Sequence, residues 1–256
     1  MLQTMINYLW TSNEKKIYVF FLVLVSLISL CYVEFNTLQL GNVNFWLWQL
    51  YINSELYIAI VGLPLIYSLG NYFVSSLIFS DSLVILRFKD RSRLFKYELL
   101  VQLIFLIVFI LVVSLISIVI SILSTNFDLD WSINAIKQYS ILFTYPPYLD
   151  MVLIHQVFFT HITFWFYLLF LMNLQQLLQL LVKERVAMFL IVSFIFLQSI
   201  FYKMNYQAQL FWWLPVYHYQ VASVKNVVGE LIYWVVGNLT LLLINYRLIL
   251  NLNYFE

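Results

Sequence analysis

Charge is the scarcest commodity in this sequence: 10% of its 256 residues are Asp, Glu, Lys or Arg, against about 25% in an ordinary soluble domain. A water-filled exterior on all sides is therefore excluded. Neither sign dominates, since 13 Lys and Arg face 12 Asp and Glu, so the chain lacks the basic footprint that nucleic acid requires. Cysteine is present once, as Cys31 inside an apolar run, which rules out a disulfide framework or a thiolate metal cluster built from this chain alone. Glycine is also rare. The residues after Gly41, Gly62, Gly70, Gly229 and Gly237 are Asn, Leu, Asn, Glu and Asn, so no Gly-Lys phosphate loop exists and the chain has no nucleotide site of that kind. Histidine occurs three times; His155 and His161 are six apart, on different faces of a helix, with no carboxylate at metal-ligand spacing. No metal set and no HExxH motif follows from them, and His218 reads as an interfacial polar residue.

What fills the chain instead is apolar: 64% hydrophobic residues, with 23 Phe, 19 Tyr and 8 Trp. A helix crossing about 30 Å of hydrocarbon needs about 20 such residues. Six stretches qualify, at 17–33, 56–80, 99–124, 151–174, 186–202 and 226–246, so the expected fold is an all-α integral membrane domain over 1–256. The charge-free run goes on to Val182, and its tail carries Asn173, Gln175, Gln176 and Gln179, which predicts a helical tail leaving the bilayer. Gly62, Pro64 and Gly70 predict a bend or close packing in the second span. The stretches 35–54 and 204–224 mix amides with Trp and Tyr and read as headgroup-level segments, the second as a re-entrant or outer segment.

Lys15 and Lys16 before an apolar run resemble a signal sequence, but no small-residue cleavage site follows and Leu30 precedes Cys31, so 17–33 is expected to remain as span one. Six spans put both ends on one side. That side holds Lys15, Lys16, Arg87, Lys89, Arg91, Arg93, Lys96, Lys183, Arg185 and Arg247, and the other only Lys137, Lys203 and Lys225. The positive-inside rule makes the richer side cytoplasmic, giving a multi-pass protein of the cell membrane. Every Asp and Glu, Glu98 included, reads as a loop or span-edge residue, which leaves no catalytic constellation and no proton relay.

Two basic or amphipathic segments remain. Leu2, Met5, Ile6, Leu9 and Trp10 share one helical face, opposite Gln3, Asn7 and Thr11, which suits an interfacial helix serving as an anchor or as a grip for a partner. The loop DSLVILRFKDRSRLFKYE from Asp81 to Glu98 sets Arg87 four from Arg91 and Lys89 four from Arg93, interleaved with Leu86, Phe88, Leu94 and Phe95. Such a helix suits anionic lipid or, alternatively, the groove of a soluble subunit.

An amphipathic start at Leu2 to Trp10, six spans, a basic loop between spans two and three and an aromatic segment before span six together resemble the permease subunit of an ABC-2 type (type V) ATP-binding-cassette exporter. The resemblance implies a dimer of permease subunits, identical or not, with two copies of a separate ATPase that carries ATP and magnesium, and no cofactor in this chain. It assigns ATPase coupling to Leu86, Arg87, Phe88, Arg91, Arg93 and Phe95, helped by the N-terminal helix. It assigns an outer gate to Phe211, Trp212, Trp213 and Pro215. The short N-terminus looks more like that of bacterial peptide, lantibiotic or phenol-soluble modulin exporters, and implies an amphipathic peptide as cargo. Polysaccharide or lipid-linked glycan export and a non-transporting immunity or sensor role are the alternatives; an intramembrane enzyme is disfavoured because no catalytic set is visible.

Overall fold

The computed structural model describes residues 43–54, 56–80, 91–121, 127–142, 149–204, 214–218 and 227–251. Among them are seven α-helices and no β-strand: α1 Phe45–Ser54, α2 Leu63–Ser80, α3 Arg91–Ser121, α4 Ile133–Leu142, α5 Leu153–Leu181, α6 Glu184–Met204 and α7 Val227–Asn251. A π-helical turn, Leu56–Gly62, leads into α2, and a 3-10 turn, Pro215–His218, precedes α7. Span one and the N-terminal residues Leu2, Met5, Ile6, Leu9 and Trp10 lie outside the described residues.

Among the described residues four helices are long and apolar enough to cross a bilayer: Ser92–Ile118, Leu153–Leu181, Glu184–Phe201 and Val227–Asn251. Phe45–Ser54 with Ala59–Ser75, bent by 47°, makes a fifth if the pair counts as one broken span. Each outer helix buries one stripe and leaves apolar residues elsewhere. On α6 the stripe is Ala187, Ile191, Ile195 and Gln198, while Phe189 and Leu197 face outward; on α7 it is Trp234, Asn238, Asn245 and Ile249, while Ile232, Val236 and Leu243 face outward. A soluble helix would put polar residues on that outer side, so lipid is the solvent these faces suit. Helix α5 is the hub, packed on α7, α1, α6 and α2.

The bend follows from local chemistry. Pro64 has no N–H for the carbonyl of Ile60, and Gly62 closes the π-helical turn beside it. The N-terminal end of α1 is fixed by Asn44, whose Oδ1 accepts the backbone N–H groups of Trp46 (2.8 Å) and Leu47 (3.3 Å) while its Nδ2 donates to the Asp128 carbonyl at 2.9 Å. Ser132 caps α4 through Ala135 N–H in the same way. Asn44→Ala therefore removes a helix cap and a tie to the loop before α4, and is expected to cost about 1–2 kcal/mol; a thermal unfolding midpoint equal to wild type would show that the cap bears no weight.

Three expectations change. The residues of 45–54 are not solvated: Leu47, Gln49, Leu50, Ile52 and Asn53 of α1 are buried in the bundle. The tail of span four is helical, as expected, since α5 runs unbroken to Leu181, but its Asn173, Gln175 and Gln176 are buried against other helices and not bathed in water. Glu98 is not a loop residue. It lies in α3, 1% exposed.

Candidate functional site

Two polar seams hold the bundle, one at each end. At the end bearing the start of α1, the Gln49 amide donates to Ser121 Oγ (2.7 Å) and accepts from Ser117 Oγ (2.8 Å), so both halves of the amide are used. One turn on, Asn53 Nδ2 lies 3.1 Å from the ring nitrogens of His161, whose Nδ1 is 3.0 Å from the Val157 carbonyl. Nδ1 donating to that carbonyl leaves Nε2 to accept from Asn53, the neutral ring.

Beside this seam α1, α3 and α5 enclose an open groove of about 440 Å³. Its walls are Phe45, Trp46, Phe158, Ile162 and Trp165 with Ile118 and Val157, and its polar members are Gln49 and His161. Both already have partners within the bundle. The groove is thus an apolar, aromatic surface without a charged group, suited to holding hydrophobic side chains or chains of methylenes by burial alone. None of the residues assigned a role by resemblance lines it. The stretch that supplies Phe45, Trp46 and Gln49 was expected at headgroup level, and His161 reads in the sequence only as one of two unrelated histidines. The usable signal was the alternation of amides and aromatics in 44–53, typical of a helix that must satisfy its polar atoms internally.

At the opposite end the amides of α5 meet two helices, α7 and α2. Asn173 Nδ2 donates to Asn238 Oδ1 (3.0 Å), Asn245 Nδ2 donates to the Asn173 carbonyl (2.8 Å), and Gln175 Nε2 donates to the Ser68 carbonyl (3.2 Å). Asn71 Nδ2 donates to Gln175 Oε1 at 3.2 Å. This is the end where α2 finishes and α3 begins, and where α5 passes to α6 through Val182 and Lys183.

The coupling residues divide. Leu86, Arg87 and Phe88 lie outside the described residues, and Arg91 opens α3. Arg93 and Lys96 are exposed on one side of α3, and Lys183, Arg185 and Arg247 are exposed at the same end of the bundle. Phe95 points the other way: it is buried, its ring centre 5.5 Å from that of Tyr246 on α7. Its position is a contact within the bundle, so only a rearrangement would offer it to another protein.

Of the gate residues, Phe211, Trp212 and Trp213 lie outside the described residues. Pro215 is buried at the start of the 3-10 turn. That turn is clasped from both sides. Tyr217 O–H donates to the Phe201 carbonyl (3.1 Å), His218 Nδ1 meets Glu230 Oε2 at 2.5 Å, and Trp234 Nε1 donates to the His218 carbonyl (2.9 Å). The His218 ring stacks on Tyr233 with centroids 3.6 Å apart. Partial burial pushes the Tyr217 hydroxyl up from its ordinary value, so it keeps its proton as a donor through the neutral range. The expectation of a merely interfacial His218 missed this pairing; Glu230, twelve residues on, carried the signal.

No family model, no curated protein and no solved structure matches this chain.

Proposed function

We propose that the chain is the membrane-spanning permease subunit of an ATP-driven exporter of the ABC-2 type, which pairs with a second permease subunit and moves an amphipathic or hydrophobic peptide out of the cell. The aromatic groove carries this reading. It offers apolar and aromatic walls, no charge, and two polar side chains, Gln49 and His161, that are hydrogen-bonded inside the protein, while the Trp46 indole N–H on the same wall has no partner. An apolar segment entering it displaces lipid or water without stripping any protein group of a partner, and nothing there can attack it. Energy comes from elsewhere. Exposed cations at one end of the bundle, Arg93, Lys96, Lys183, Arg185 and Arg247, supply the contact chemistry that two separate ATPase subunits need, and the cation bias makes that end cytoplasmic. ATP and magnesium then belong to those partners.

The test is Ile162→Trp. Ile162 is 47% exposed on the groove wall, so the larger ring fills the groove without disturbing the core. Reconstituted with its co-purifying ATPase, this variant is expected to lose about tenfold or more of peptide-stimulated ATP hydrolysis, equivalent to about 1.4 kcal/mol of binding, with an unchanged melting temperature. Stimulation equal to wild type overturns the role of the groove. Stimulation by glycolipids but not by amphipathic peptides assigns glycan export instead, and the absence of any co-purifying ATPase overturns the transporter reading.

A further inference from the structure

The groove between α1, α3 and α5 has a direction and a depth. Its rim on α5 is Phe158, Ile162 and Trp165, spaced four and three residues apart and so on one stripe of the helix. These three are 57%, 47% and 47% exposed, and Ile118, which lines the groove from α3, is 42% exposed. The rim on α5 runs about 10 Å along the helix axis at 1.5 Å per residue. The mouth is therefore a slit in the side of the bundle, parallel to the helices. It is continuous with a lipid-suited face, because the stripe of α3 that ends at Ile118 contains the exposed Leu111 and Leu115.

Depth follows by counting from the basic end. Ile118 stands about 33 Å along α3 from Lys96, and on α5 Trp165 and Phe158 stand about 24 and 35 Å from Leu181, the last residue of that helix before Lys183. Against a hydrocarbon layer of about 30 Å, the slit occupies the half of the bilayer away from the cations and reaches its headgroup boundary. Trp46 stands at that boundary. Its ring centre lies 6.5 Å from that of Phe158, and its indole N–H has no partner. Lipid ester carbonyls are the acceptors that a bilayer offers at this level.

The walls restrict the occupant further. No charged side chain lines the groove, and Gln49 and His161 are bonded within the bundle, so an ion, a sugar or a headgroup gains nothing by entering. An empty groove would forfeit the dispersion contacts of its lining. An acyl chain runs parallel to the slit, is present at this depth, and needs apolar contact alone.

We propose that the groove binds one acyl chain of a phospholipid from the leaflet opposite the cation-rich end, laid along Phe158, Ile162 and Trp165. Binding of this lipid needs no ATPase; only the expectation that cargo displaces it rests on the transport reading.

The full chain is purified in detergent, washed, and weighed by native mass spectrometry. Wild type is expected to retain one phospholipid per chain. Ile162→Trp, whose ring fills the groove, is expected to retain it about tenfold less often, and Ile118→Trp, which fills the groove from α3, serves if the first variant does not fold. Val236→Trp, at a 57% exposed position on the outward face of α7, is expected to keep the wild-type occupancy. Wild-type protein without phospholipid overturns the proposal, as does equal retention when the groove is filled. A peptide found in place of phospholipid also overturns it and assigns the groove to cargo alone. Peptide-stimulated ATP hydrolysis on the same wild-type preparation reads the transport proposal separately. Retained lipid without stimulation leaves the acyl-chain site standing and overturns the exporter, and stimulation without retained lipid does the reverse.

Discussion

Replacing Trp234 by Ala is expected to destabilise the folded protein by about 3–5 kcal/mol, the range for emptying a buried Trp or Phe site. The residue is fully buried at the junction of three elements. Its ring meets Tyr167 and Phe170 of α5 edge-on, with centroids 6.1 and 6.3 Å away, and Tyr233 of its own helix at 5.3 Å. Between helices in lipid the hydrophobic drive is weak and close packing carries the association, so a hole here is not offset by solvent. The indole N–H adds a separate contribution by holding the His218 carbonyl. Trp234→Phe keeps most of the packing and gives up that bond, and is expected to cost about 1 kcal/mol. Thermal melts of the two variants in the same micelle give the order: Ala far below Phe, Phe slightly below wild type. Hydrogen exchange at 214–218 is expected to rise in both, because the bond to the turn is lost in both. A Trp234→Ala protein that melts within a degree of wild type would mean that α5 and α7 do not pack through this ring.

The α5–α7 seam also shows which part of the fold was legible. Apolar run length and charge position are properties of a segment taken alone, and they locate the helices at 99–124, 186–202 and 226–246 within a few residues of α3, α6 and α7 apart from the basic first turns of α3. Pairing is not a property of one segment. Asn173 and Gln176 look like the polar tail of an over-long span until Asn238 and Asn245 stand opposite them. The seven-residue spacing of those two asparagines, one stripe on a helix, was the clue in the sequence. Gln49 and Asn53 were misread for the same reason. An amide counts as polar in a composition window, yet in the bundle its hydrogen bonds go to Ser117, Ser121 and His161, and its polarity is spent inside the protein.

Glu98 shows the limit from the other direction. It follows a run of cations and precedes a long apolar stretch, so by sequence it marks the edge of a span. In three dimensions α3 starts at Arg91, two turns earlier, and the turn containing Glu98 lies under α2, α5 and α7. The groove was invisible for a related reason: its walls come from three helices, and α1 was not expected inside the bundle at all.

On the proposed exporter reading, reversing Arg87, Arg91 and Arg93 together to Glu abolishes export and releases the ATPase while leaving the bundle folded. Exposed charges contribute about 0–1 kcal/mol each to stability, and Arg93 is exposed on α3, so the melting temperature should hardly move. Across an interface the same three changes act together. Losing an attraction and gaining a repulsion at each position amounts to about 1.4 kcal/mol or more per residue, and three such losses weaken the complex about a thousandfold. Phe95 provides the control that separates docking from folding. Resemblance groups it with the arginines, but its ring is packed on Tyr246, so Phe95→Ala is expected to cost about 3 kcal/mol of stability and to leave the affinity of the remaining folded protein for the ATPase unchanged. Binding to anionic vesicles, measured beside ATPase binding, distinguishes the other reading of this segment. If the triple variant loses vesicle affinity but still co-purifies with the ATPase and exports normally, the basic segment is a lipid anchor and the coupling role is overturned.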